Sequence, residues 1–89
     1  MAELQVGQAF TPNLRGSTGQ GIVQVTRGNK DLTLWGSVNG TDYVLIETFT
    51  ASSLKEVILC SFFKISGNAA DIDEAAGTSR LWIDETRGG

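Results

Sequence analysis

Asn39-Gly40 stands between two apolar-alternating runs, "DLTLWGS" at 31–37 and "YVLIETF" at 43–49. Asparagine followed by glycine is a favoured pair for a two-residue type I′ hairpin turn, because both central residues of that turn take positive φ. The pattern predicts a hairpin whose turn fixes the pairing register. A slip of one residue would turn Leu32 and Leu34 outward and expose a row of apolar groups. Trp35 and Tyr43 are expected to approach one another across this hairpin.

The same period of two recurs along the chain. In "ELQVGQAF" (3–10), Leu4, Val6 and Phe10 share one face, as expected of a first strand or an extended arm. "TPNLRGSTG" (11–19) has the chemistry of a loop. In "QGIVQVTR" (20–27) the inward pair is Val23 and Val25. "RGNKD" (27–31) is expected to make a second hairpin turn, with Gly28-Asn29 supplying positive φ and "LTLWGS" running back beside 20–27. "LKEVILCSFFKIS" (54–66) is two short strands or one bent strand. Val57 and Leu59 share one of its faces and Ile58 and Cys60 the other, so burial is expected on both sides, by the second sheet and by a neighbouring or partner chain. "GNAADIDEAAG" (67–77) is the longest non-strand segment, and its alanines could make a helical turn. "TSRLWIDET" (78–86) is a strand with Leu81 and Ile83 on one face and Trp82 on the other.

Eleven glycines, one proline and about six to seven short strands predict an all-β fold, a small antiparallel β-sandwich or jelly-roll-like barrel. With 89 residues a single domain spanning 1–89 is expected, with 1–13 an extended N-terminal arm and 86–89 a flexible tail. The longest near-continuous apolar run, Val57 to Phe63, falls well short of the roughly 20 residues of a spanning helix. "MAELQVGQ" has neither the basic nor the apolar region of a signal peptide, so neither secretion nor a membrane is expected.

Net charge is −3, and the seven basic residues, Arg15, Arg27, Lys30, Lys55, Lys64, Arg80 and Arg87, are scattered. Sequence-independent binding of nucleic acid needs a concentrated positive surface, so none is expected. The chain has no histidine and one cysteine, Cys60. That removes the usual zinc sites and the Ser-His and Cys-His nucleophile systems. Cys60 reads as a small core residue, and a chain without an internal disulfide suits a reducing cytoplasm.

Three other features touch on chemistry. "GSTGQG" (16–21) lacks the lysine of a phosphate loop and reads as a surface loop. "DIDE" (71–74) is the one carboxylate cluster. It lacks the remaining ligand positions and glycine of a calcium loop and reads as a solvated acidic loop, and a paired-carboxylate glycosidase is weaker still. Trp35, Tyr43 and Trp82 could form a platform for stacking sugars, or could anchor the core or an interface, which is the favoured reading. Catalytic, cofactor and metal sites are therefore all expected to be absent.

Beyond these readings, the succession "SVNGTDY" (37–43), "LIETFT" (45–50), "KEVIL" (55–59), "FFKIS" (62–66) and "GTSRLWI" (77–83) resembles small β-rich structural proteins of tailed bacteriophages. A turn similar to the first occurs in discoidin-like jelly-roll modules, which are longer. The resemblance covers roughly residues 31–85. It implies a non-enzymatic virion structural role, foremost a capsid decoration (cement) protein. Such a protein, commonly a homotrimer, would bind the assembled major capsid protein lattice on the capsid exterior after synthesis in the host bacterial cytoplasm. The alternative is a carbohydrate-binding module or a tail- or fibre-associated virion protein.

Overall fold

The computed structural model describes residues 2–12 and 19–84. Seven short strands appear in chain order: β1 Ala2–Glu3, β2 Gln20–Thr26, β3 Leu32–Ser37, β4 Val44–Phe49, β5 Ser53–Ile58, β6 Phe62–Ser66 and β7 Arg80–Asp84. They form two antiparallel sheets, a four-stranded one in the order β1-β7-β2-β5 and a three-stranded one in the order β4-β3-β6. The fold is a small all-β sandwich. Among the described residues no helix is long and apolar enough to cross a membrane.

The period-two pattern dictates which side chains meet between the sheets. Val23, Val25, Leu81 and Ile83 of the first sheet face Leu32, Leu34, Phe63 and Ile65 of the second, and all eight are buried. Val57 and Leu59 join them, while Ile58 between them points to solvent. At roughly 1.5–3 kcal/mol for each fully buried aliphatic or aromatic side chain, this cluster supplies the main force that closes the sandwich.

Two expected turns take a different form. The segment 27–31 does not return β3 alongside β2, because the two strands lie in different sheets. It is a corner that crosses the core, and neither Gly28 nor Asn29 has positive φ. Residues 28–30 hydrogen-bond instead to the segment before β7. The Gly28 amide donates to Ser79 Oγ (2.8 Å), the Asn29 amide to Thr78 Oγ1 (3.0 Å), and the Thr78 amide to Asn29 Oδ1 (2.9 Å). Ser79 Oγ in turn donates to the Lys30 carbonyl.

The hairpin between β3 and β4 does form, but through a six-residue loop, 38–43, and not a two-residue type I′ turn. Gly40 alone in it has positive φ. Asn39 contributes its side chain: Oδ1 accepts the amides of Thr41 (2.8 Å) and Asp42 (2.9 Å), while Ser37 Oγ accepts those of Asn39 (3.2 Å) and Gly40 (2.9 Å). Such local side-chain bonds give the backbone an alternative to the tight turn. The register shifts between Leu34 and Trp35, which leaves Ile46 as the extra residue of a β-bulge on β4. Leu32 and Leu34 nonetheless face inward, as the pattern requires.

The segment 67–77 contains no helix. Asn68 Oδ1 accepts the Ala70 amide (2.8 Å) and Asp71 Oδ1 the Asp73 amide (2.9 Å), so side chains take the donors that a helical turn would use.

The N-terminal segment lies along the body of the sandwich. Ala2 and Glu3 pair with Ile83 and Trp82 on the edge of the first sheet, and Phe10 exchanges two 2.8 Å backbone hydrogen bonds with Phe63 on the edge of the second. One segment therefore covers one edge of each sheet. The Arg80 guanidinium clamps it by donating to both Glu3 oxygens, at 2.8 and 2.9 Å. Those hydrogen bonds, opposed by partial desolvation and reinforced by the guanidinium charge, hold the Glu3 carboxyl below its ordinary range. A carboxyl depressed in the folded state stabilises at pH above its ordinary value, and that contribution is lost as pH falls through the depressed value. Amide chemical shifts followed against pH should therefore show residues 2–4 loosening only below the ordinary carboxylate range. Glu3→Gln should loosen the same residues at neutral pH and remove the acid transition.

Candidate functional site

The edges of the sandwich differ. On one side β7 and β6 are covered by the N-terminal segment. On the other, β5 ends the first sheet and β4 ends the second, and among the described residues no strand pairs with either outer edge. The seam between them opens into an apolar groove of about 660 Å³, in the range of ligand-sized clefts.

Local rules build this groove. Val44 pairs with Gly36, whose lack of a side chain lets other groups close on that strand. A Cβ at Gly36 would lie 2.6 Å from Ile46 Cδ1 and 2.9 Å from Cys60 Sγ, so those two groups occupy the ground that a larger residue would claim. Past the end of β5 the strict alternation lapses. Cys60 turns back toward the interior, half-buried, with its thiol donating to the Phe62 carbonyl (3.1 Å). Val44 is 69% exposed, Ile46 41% and Ile58 77%. Leu54, on the outer face of β5, is 70% exposed. Scattered single apolar residues on a surface need no explanation, but Val44, Ile46 and Ile58 line one groove between two uncovered strand edges.

The charges at the seam are unbalanced. Asp42, Glu47 and Glu56 border it with one cation, Lys55. Lys55 Nζ is 2.6 Å from Glu47 Oε1, an ion pair that ties β5 to β4 across the mouth. Both partners are substantially exposed, so the pair contributes little to stability. Its effect on the seam is to neutralise the one positive charge there.

The aromatic platform is divided between the two sheets. Trp35 and Tyr43 line one hollow on the outer face of the three-stranded sheet, with Thr41, Lys64, Ile72 and Asp73. Trp82 lies on the outer face of the four-stranded sheet, paired with Glu3 and Gln24. Two of the rings carry a cation on one face. Lys64 Nζ lies 4.9 Å from the Tyr43 centroid, and the Arg80 guanidinium 4.9 Å from that of Trp82. Trp35 Nε1 donates to Ser66 Oγ at 3.0 Å. A sugar stacking on the face that carries the cation would have to displace it.

In the acidic loop, Glu74 is engaged by Lys30 at 2.6 Å. Among the described residues no group of three or more potential metal ligands converges. Of "GSTGQG", residues 16–18 lie outside the described residues, as does the tail 86–89.

The sequence carries one signal for the groove. Val44, Leu45 and Ile46 are three consecutive apolar residues in a strand, and a strand can direct only alternate residues into one core.

Comparison with protein-family models, with curated proteins and with solved structures finds no match for this chain.

Proposed function

We propose that this chain is a non-enzymatic virion structural protein, a capsid decoration protein that docks on the assembled major capsid protein lattice as a homo-oligomer. The observation that carries the reading is the asymmetry of the sandwich. One pair of sheet edges is covered by the protein's own N-terminal segment, and the other pair borders an exposed apolar groove. An apolar seam on two strand edges suits attachment to a larger protein surface. The bacteriophage resemblance of the strand and turn motifs between residues 31 and 85 supplies the kind of surface. The trimeric state is an expectation from the same resemblance.

Co-sedimentation tests this reading, with shells assembled from the major capsid protein of the same virus and with the unassembled capsid subunits. Retention on shells and not on subunits is the expected result. Equal retention on both, or on neither, contradicts it.

A further inference from the structure

We infer that the outer edge of β5 receives an extended segment of another protein, with a basic residue at its centre and apolar residues around it, whose inward side chain enters the groove. The inference rests on the reading of the chain as a docking module, but not on the identity of the shell.

Geometry selects β5 over β4. The pairing of β5 with β2 runs without a break from Ser53 to Ile58, so its outer edge is a regular template for one more strand. β4 carries the Ile46 bulge, which bends an edge and breaks its ladder.

The pleat then sets the partner's pattern, because directly opposed residues share a face. Lys55 pairs with the buried Val23 and Val57 with Gly21, so both face the interior. Leu54, Glu56 and Ile58 face outward. A complementary segment places apolar residues opposite Leu54, Val57 and Ile58, a polar one opposite Lys55, and a lysine or arginine opposite Glu56. Among the described residues Glu56 has no ion pair, whereas Lys55 is held by Glu47.

Charge also disfavours a second copy of this chain related by a two-fold axis as the occupant. Two antiparallel strands related by a two-fold axis must place some residue opposite itself. For β5 the two longest registers centre on Lys55 or on Glu56, and like charges directly opposite one another destabilise a sheet. For β4 the corresponding centres are Ile46, at the bulge, and Glu47.

The probes are two short peptides with the cores Val-Val-Lys-Thr-Val and Val-Val-Glu-Thr-Val, written for antiparallel addition to β5. Titration calorimetry at low salt gives affinity, and amide chemical shifts give location. The lysine peptide is expected to bind at least tenfold tighter than the glutamate peptide, with shifts concentrated on residues 53–60 and 44–46. Glu56→Lys should reverse the preference. Ile58→Lys, at a solvent-facing position, should weaken the lysine peptide at least tenfold while leaving the melting temperature nearly unchanged.

Equal affinities, no binding of either peptide, or shifts confined to the outer sheet faces overturn the inference. So does an Ile58→Lys variant that changes only the native mass, which would identify a second copy as the occupant. Binding of an apolar dye without either peptide overturns it in favour of a small-molecule cleft. If wild-type protein ignores capsid shells yet keeps the lysine preference, the virion reading fails and this inference stands. If shells are bound but the peptides are not discriminated, the reverse holds.

Discussion

Phe63→Ala is expected to remove about 3–5 kcal/mol of stability, the usual range for deleting a buried aromatic side chain. Phe63 is the largest of the fully buried side chains. Its backbone also exchanges both hydrogen bonds with Phe10, so the residue joins the core to the covered edge of the three-stranded sheet. Single domains commonly hold 5–15 kcal/mol in total, and small ones have less buried surface to draw on. The loss is therefore a large part of what this chain has. Urea unfolding should show a lower midpoint with an unchanged slope, and the melting temperature should fall by roughly 12–40 °C. A fall of only a few degrees would mean that the two sheets do not close on this ring.

Gly28→Ala is the second large effect expected, and it acts through the corner between the sheets. Gly28 does not need glycine for its φ, which is not positive. It needs glycine for space. A Cβ there would lie 2.6 Å from the carbonyl carbon of Thr78 and 2.8 Å from its oxygen, backbone atoms that cannot rotate away. Relief would require the corner to move off the 78–79 segment and give up the Gly28 and Asn29 amide bonds to Ser79 and Thr78. Overpacking of this kind costs about 1–3 kcal/mol, and each broken bond adds about 0.5–1.5 kcal/mol. Amide exchange should show lost protection in β7 and at the end of β2, the strands that this corner holds in line. Ser79→Ala should reproduce part of the loss without the clash. Wild-type stability in Gly28→Ala would contradict the close packing of this corner.

The strands were legible because alternation is a local property. Val23 with Val25, Leu32 with Leu34, and Leu81 with Ile83 each declare an inner face within three residues. Sheet membership was not legible in the same way. "RGNKD" has the chemistry of a hairpin turn, but its partners are hydroxyls 49 residues further along the chain, and these carry β3 into the other sheet. Asn39-Gly40 correctly marks a hairpin. The turn is longer than its signature suggests because the Asn39 carboxamide and the Ser37 hydroxyl cap the loop amides. Alternation also places Trp82 on an outer face without saying which sheet that face belongs to, so the three-ring platform could be divided only once the topology was known. The groove depends on Gly36 and the Ile46 bulge together, a pairing that appears only after β3 and β4 are aligned.

These features fit together physically. The N-terminal segment covers one side of the sandwich, while the bulge and the like charges that a two-fold axis would oppose discourage a two-fold-related copy from pairing on the other side. What is left is a short regular edge beside an apolar groove, bordered by carboxylates. Such a surface favours a partner with the opposite charge and an extended segment to offer, and a lattice-forming protein displaying that segment many times would gather many copies of this chain.

The most direct test of the account is the amount of wild-type and Ile58→Lys protein retained on assembled capsid shells and on unassembled capsid subunits. Saturable retention of the wild type on shells alone, lost in Ile58→Lys while its fold and melting temperature are preserved, is the predicted result. Failure of the wild type to distinguish shells from subunits would contradict the account.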